Sequence, residues 1–486
     1  MVDARATSSW SFMPEHCRAM ATLAIVNGNV WARPNHTSVL IDGERILAVG
    51  NERFSAPRVI DAGGLAILPA FNDAHVHFLM ASRSLRELDL FGATTQAEVE
   101  RRIAAYARSH RGAWILGRGW LYSAFPGGMP DVAALDRLIP DRPAYIESFD
   151  AHTGWANSRA LAIAGAAPDG VLIEAAMETV TRCIPRPSRE QDLESLRDGM
   201  RLAASRGIGS VQEAGDGQNQ LELWRSLREA GELGLRVRLA FDLTPGMDLD
   251  RYGAPQQGDE LISTGILKAF ADGVVESRTA AMLAPYEGTK ETGRPLWPPG
   301  ELSSAVHTAD ARGWQVQIHA IGDAAIRQAL DAYEGTTPGR RHRVEHIETP
   351  DPADLPRFAR LGVVASMQPQ HADPQLTDVW RKNLGAERSA RGWPWRRLLE
   401  GGAHLAFGTD WPVAPLEPFA SLRMATKHLG LDEAVTAWTS GSAYAEHMER
   451  EKGEVREGML ADLTIVDLDR STVMATVVGG RIVYES

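Results

Sequence analysis

His75 and His77 stand one residue apart, at the end of a stretch that opens with the apolar run 65–68. Alternate side chains of a strand share a face, so both imidazoles point one way and Val76 the other. Two imidazoles on one side of a strand end can chelate a divalent metal, although neighbouring histidines also arise by chance or for packing. Three further strand-like segments end on metal-ligand residue types: Gln315-Val-Gln-Ile-His319, Arg343-Val-Glu-His346 and Ala406-Phe-Gly-Thr-Asp410. Taken singly, His319 fits a hydrogen-bonded core histidine and Asp410 a helix N-cap. Taken together, four histidines and an aspartate at one rim would cost on the order of several kcal/mol to bury without a partner. A metal site is the economical account.

Lys268 adds a second kind of chemistry. It lies among apolar neighbours in Ile266-Leu-Lys-Ala-Phe-Ala-Asp-Gly273. A buried ammonium without a partner is disfavoured and shifts its pKa to shed charge. Two readings stand side by side. Lys268 pairs with Asp272, Glu213 or a substrate carboxylate, or carbon dioxide carbamylates it to an anion able to bridge two metals.

These residues need a scaffold that brings strand ends together. Strand-like segments follow one another at 208–213, 235–242, 265–272, 314–319, 341–348, 363–368 and 404–410. With the His75/His77 strand they make eight, most of them separated by helical patterns such as 323–334. Eight strands alternating with helices predict an α/β fold of the (β/α)8 TIM barrel type, whose active site lies at the C-terminal strand ends. Region 83–200, after barrel strand 1, breaks that beat. It is rich in Gly, Pro and Trp and reads as an α/β insertion with strands near 114–120 and 144–149. Thr95-x-x-Glu98 and Ser188-x-x-Gln191 fit helix capping boxes. Short β-rich segments at both ends of the chain predict one small β-sandwich domain from residues 21–64 and 453–486, enclosing a barrel over 65–452. Residues 1–20 read as a loosely held extension without the apolar core of a secretory signal.

The net charge of −12 and the lack of any basic run argue against a nucleic-acid partner. No stretch of eighteen apolar residues predicts a membrane span. Cys17 and Cys183 are too few for a disulfide framework, so free thiols in a reducing, cytoplasmic setting are expected.

Five motifs resemble the amidohydrolase superfamily: Phe71-Asn-Asp-Ala-His-Val-His77, the run from Lys268 through Asp272-Gly-Val-Val-Glu-Ser-Arg-Thr-Ala280, Gln317-Ile-His-Ala-Ile-Gly-Asp323, Arg343-Val-Glu-His346 and Gly408-Thr-Asp410. Within it they are similar to the amidohydrolase 3 branch of YtcJ-like proteins and N-substituted formamide deformylases. Ser148-Phe-Asp-Ala-His-Thr-Gly-Trp-Ala-Asn-Ser-Arg-Ala-Leu161, in the insertion, resembles the same branch. The resemblance implies that His75 and His77 bind the more buried metal and that a carbamylated Lys268 bridges. It also implies that His319 and His346 bind a second metal and that Asp410 is the catalytic carboxylate. One or two divalent ions, with Zn²⁺ favoured by imidazole and carboxylate ligands, are expected.

The expected activity is hydrolysis of an amide-like C–N bond in a small N-acyl or N-formyl compound. Metal-activated hydroxide would attack, with Asp410 acting first as general base and then as acid. The alternatives are hydrolysis of an ester, lactone or carbamate, a deamination, or a catalytically silent scaffold. Trp120, Tyr122, Asp150, His152, Trp155, Arg278, His371 and Trp411 lie in or beside expected loops and are candidates for contact with the substrate. The expected partner is a small molecule, with neither nucleic acid nor membrane, and a homo-oligomer is left open.

Overall fold

The computed structural model describes residues 21–255 and 258–486, so the expected N-terminal extension and Cys17 lie outside the described residues. At its centre eight parallel strands form a nearly closed barrel. They are β1 (Phe71–Val76), β2 (Ile208–Glu213), β3 (Arg236–Asp242), β4 (Ile262–Phe270), β5 (Gln315–Ala320), β6 (Arg343–His346), β7 (Val364–Met367) and β8 (Leu405–Phe407). Each pairs with the next in chain order. Their apolar side chains turn outward onto helices such as Asp323–Tyr333, which buries Ile326, Ala329, Leu330 and Tyr333 at helical spacing.

The barrel closes between β8 and β1 just beyond the regular strands. The N–H of Asp410 donates to the carbonyl of His75 at 2.7 Å, and that of His77 to the carbonyl of Trp411 at 2.8 Å. Buried Asp73 reinforces the seam by accepting from the main-chain N–H of Thr409 at 2.9 Å and from its hydroxyl at 2.6 Å. Gly408 leaves room for this approach: a Cβ there would lie 2.5 Å from the nitrogen of His75. The first motif and the last are thereby locked together.

The apolar run 65–68 departs from expectation. It does not continue into the histidine strand but forms a separate strand, Ala66–Pro69, which pairs with Asn29–Val30 and Leu463–Asp467. That strand belongs to a five-stranded sheet completed by Thr472–Val478 and Arg481–Glu485, so both termini contribute to it. A second sheet, of Leu23–Val26, Ser38–Asp42, Arg45–Gly50 and Arg58–Asp61, comes from the N-terminal segment alone. Ile25, Ile41, Ile60, Ile67, Leu463 and Val477 fill the core between them. A run of four apolar residues signals burial without saying against which sheet.

Between β1 and β2 the chain makes its own sheet. It consists of Leu88–Asp89, Ile115–Trp120, Ala144–Ser148, Thr153–Ala156 and Val171–Ile173, over a separate apolar core. The helix Arg189–Ser205 then begins with the expected Ser188/Gln191 capping box and returns the chain to the barrel. Cys183 is a half-buried free thiol.

A buried ion pair fastens the barrel to the sandwich. The guanidinium of Arg236 on β3 donates to both oxygens of Asp462 at 2.6 and 3.0 Å, with both side chains buried. Asp462 also accepts from the N–H of Gly479 at 2.8 Å. Asp462→Ala strands the buried guanidinium and should lower unfolding free energy by about 3–5 kcal/mol. A denaturant titration checks this against a change near zero.

Candidate metal centre

The C-terminal ends of β1, β4, β5, β6 and β8 deliver His75 and His77, Lys268, His319, His346 and Asp410 to one point. Asp410 is the hub. Its Oδ1 lies 3.4 Å from Nε2 of His75 and 3.5 Å from Nε2 of His77, while its Oδ2 lies 3.9 Å from Nδ1 of His346 and 3.8 Å from Nε2 of His371. Two sets of ligand atoms draw within 4.8 Å of one another: His75, His77 and Asp410, and His346, His371 and Asp410. The second set differs from the expected one. His371, a candidate substrate contact in the sequence, joins His346, and His319 stands beside them with its ring centroid 4.5 Å from that of His346.

The surrounding side chains fix which ring nitrogen faces inward. Nδ1 of His75 donates to the buried carboxylate of Glu345 at 2.6 Å, which frees Nε2 for the centre. Glu345 is itself held by Nε of Arg343 at 2.9 Å. Nε2 of His319 donates to the carbonyl of Gly273 at 3.2 Å, leaving Nδ1 free. Burial and the neighbouring cations hold His75, His319 and His346 well below the ordinary imidazole pKa, and His77 near 3. They are neutral at physiological pH, the state that ligates metal.

Nδ1 of His346, Nε2 of His371 and Oδ1 of Asp410 are buried without a hydrogen-bond partner among the described residues. Buried polar atoms are rarely left so, and a divalent cation fits this donor set.

Lys268 is fully enclosed. Its Nζ lies 3.4 Å from Nε2 of His75 and 4.7 Å from the centroid of the Phe270 ring. Among the described residues no carboxylate comes within 4.0 Å of it. The protein partners considered for it are engaged elsewhere. Asp272 accepts main-chain N–H bonds from Ala281, Ile321 and Gly322, and Glu213 accepts one from Phe78. Burial brings the Lys268 ammonium down to about 8, against the pull of Glu345 and Asp410. Burial likewise lifts the Asp410 carboxyl to about 6, despite nearby His371 and Lys268.

A cavity of about 530 Å³ opens over this cluster. Of the expected substrate contacts, Asp150, His152 and His371 line it. The other five do not. Trp120 and Trp155 are buried in the insertion, their indole N–H groups donating to the carbonyls of Ile146 and Asp131. Tyr122 acts one step back, its hydroxyl lying 3.3 Å from Asp150 and 2.7 Å from Thr153. Arg278 reaches outward to Asn383 at 3.1 Å and Glu291 at 3.8 Å, and Trp411 packs on Phe78. These five were expected from their place near loops. The insertion and the barrel rim have cores of their own, which take up large side chains there.

Sequence reasoning passed over Glu345, Glu174, Glu276 and Glu348. Glu345 could have been found from strand alternation, since it shares a face with Arg343 inside a barrel strand. The other three line the cavity from loops and the insertion, where no periodicity marks them. Both carboxylate oxygens of Glu174 lie 3.0 Å from Nδ1 of His152. Burial works against charge on His152, but Glu174, Asp150 and Asp410 outweigh it and raise its pKa to about 8.

Residues 58–484 match the amidohydrolase family. The chain belongs to that family, in the branch of YtcJ-like proteins and N-substituted formamide deformylases. It is 30% identical to the protein LONG AFTER FAR-RED 3 of Arabidopsis thaliana, over 96% of this chain and 92% of that one. It is 26% identical to the N-substituted formamide deformylase of Arthrobacter pascens, over 93% and 94%. The crystal structure of an uncharacterized metal-dependent hydrolase from Pyrococcus furiosus superposes with a TM-score of 0.73 at 25% identity, covering 92% of this chain and 99% of that one.

In metal-dependent amidohydrolase chemistry the carboxylate behind a ligand histidine tunes its affinity. Glu345→Gln should therefore weaken Zn²⁺ binding by about 10–100-fold. Competition with a chromophoric chelator measures the effect, and circular dichroism checks that the fold is kept. Unchanged affinity would assign Glu345 to the barrel core alone.

Proposed function

We propose that this protein hydrolyses an amide-like C–N bond of a small N-acyl or N-formyl compound. The observation that carries the reading is the Asp410 carboxylate, shared between two imidazole sets at the floor of an enclosed cavity. The name of the Arthrobacter relative, a formamide deformylase, supports an N-formyl or N-acyl substrate.

His75, His77, His346, His371 and Asp410 would hold one or two divalent ions, Zn²⁺ by ligand type, with His319 beside the second set. An ion so held supplies Lewis acidity, which brings water toward a pKa of about 7. Asp410 accepts the proton of the attacking water and returns it to the leaving nitrogen as the C–N bond breaks. A carboxyl near pKa 6 can serve both steps close to neutral pH. His152, held through Nδ1 by Glu174, leaves Nε2 for the cavity and can donate to the substrate carbonyl oxygen. The apolar walls, with Phe149, Phe270, Ile321 and Val413, exclude bulk water from these steps.

Lys268 fits a carbamylated ligand. Its free amine would add to carbon dioxide, forming the N–C bond and releasing one proton to give a carboxylate among neutral imidazoles. Only the free amine reacts, and with a pKa of about 8 that form is the minority at lower pH.

Two outcomes follow. Asp410→Asn should lower kcat by about a hundred- to ten-thousand-fold on N-formyl substrates while metal analysis finds the ions retained. Full activity with metal bound would remove Asp410 from the mechanism. Metal-stripped protein reloaded with Zn²⁺ should regain activity in a bicarbonate-dependent phase. At fixed dissolved carbon dioxide that phase should slow as pH falls from 8 to 6, because the free-amine fraction drops about fifty-fold. Recovery that ignores bicarbonate would leave Lys268 an unmodified amine.

A further inference from the structure

The lining of the cavity has an uneven charge. Among the described residues Lys268 is the only lysine lining the cavity and no arginine lines it, and the Lys268 nitrogen faces His75 at the floor. Most of the lining carboxylates are already engaged. Glu174 meets His152, Asp272 accepts its three main-chain N–H groups, and Asp410 belongs to the cluster. Glu348 accepts from the indole of Trp380 at 2.8 Å and lies 3.6 Å from Nδ1 of His371. Exposed Glu178 stands at the rim.

Asp150 and Glu276 remain. Oδ1 of Asp150 accepts from Ser148, Tyr122 and the N–H of His152, whereas its Oδ2 is buried without a hydrogen-bond partner among the described residues. The Asp150 residue is only 6% exposed. Glu276 has no cationic side chain within 4.0 Å among the described residues. Burial, then Glu348 and Asp150, push its carboxyl well above the usual range, as expected of an acid that lacks a counter-charge. These oxygens do not close into a threesome within 4.8 Å, as the ligand atoms of the metal centre do. Two carboxylates without a third ligand suit an organic cation better than a metal ion. Phe149, beside Asp150, is an aromatic member of the same lining, and aromatic rings attract such a cation.

We propose that the cavity selects substrates carrying a positively charged group, such as an ammonium, which Glu276 and Asp150 bind while the scissile bond lies at Asp410. The proposal rests on the cavity being the substrate site. It names Glu276 as the specificity-determining residue, because Asp150 is also tied into the insertion by its other oxygen. An anionic group placed beside Glu276 and Asp150 would find no arginine among the described residues of the lining and would face two carboxylates.

The test is calorimetric titration of the Zn²⁺-loaded full chain with choline and with 3,3-dimethylbutan-1-ol, its uncharged isostere. Neither compound can be hydrolysed by this chemistry, so binding is read apart from turnover. Choline should bind at least about tenfold more tightly than the alcohol. Glu276→Gln, which keeps the shape of the wall, should bring that ratio toward one, and Asp150→Asn should lower it. Equal or weaker binding of choline by the wild-type chain overturns the proposal, as does a ratio that both variants leave unchanged. Failure of the hydrolase reading would appear separately, as absence of turnover on N-formyl and N-acyl compounds in a chain that still prefers choline.

Discussion

The seam between β8 and β1 sets the geometry on which the site depends. Here the main chain of Asp410 bonds to that of His75, and Asp73 clamps Thr409, so residues more than 330 positions apart share one short stretch of hydrogen bonding. Gly408 permits the approach by having no Cβ. Asp410 takes a left-handed conformation with φ of 57°, which is uncommon for a residue with a side chain. Its carboxylate is thereby placed between the histidines at the end of β1 and those at the end of β6 and after β7. His346 likewise has φ of 75°. Backbone held in sparsely populated conformations at the point where ligand atoms converge is the pattern of a site whose geometry is fixed before anything binds.

Around that seam the charges are arranged in layers. Neutral imidazoles form the inner layer, kept so by burial. Glu345 with Arg343, and the Gly273 carbonyl, stand behind them and fix their tautomers. The insertion supplies the far wall, with His152 held by Glu174 and Asp150 held by Ser148 and Tyr122. The barrel therefore provides the proposed hydrolytic centre, while the sheet inserted after β1 supplies much of the cavity wall.

Much of this was legible in the sequence, for a definite reason. In a parallel barrel the strands are buried runs of predictable length, and function gathers at their C-terminal ends, so strand position together with the family motifs pointed to His75, His77, His319, His346 and Asp410. Lys268 stood out as a charge among apolar neighbours. What stayed hidden depends on packing across the fold. The run 65–68 looked like the start of the histidine strand because burial reads the same whether a strand faces a barrel or a sandwich. His371 looked like a loop residue because its closeness to His346 arises only once β6 and β7 lie side by side. Trp120 and Trp155 looked like substrate contacts because nothing in the sequence told of the insertion's own core. Glu276 and Glu348 became visible only when the cavity did.

The central claim is that these histidines and Asp410 form a metal centre. Anomalous diffraction from crystals of the Zn²⁺-loaded protein, recorded on both sides of the zinc edge, tests it most directly. The account predicts an edge-dependent peak within bonding distance of His75, His77 and Asp410, with any second peak against His346 and its neighbours. No peak at the C-terminal rim of the barrel, or peaks only at surface sites, would contradict it.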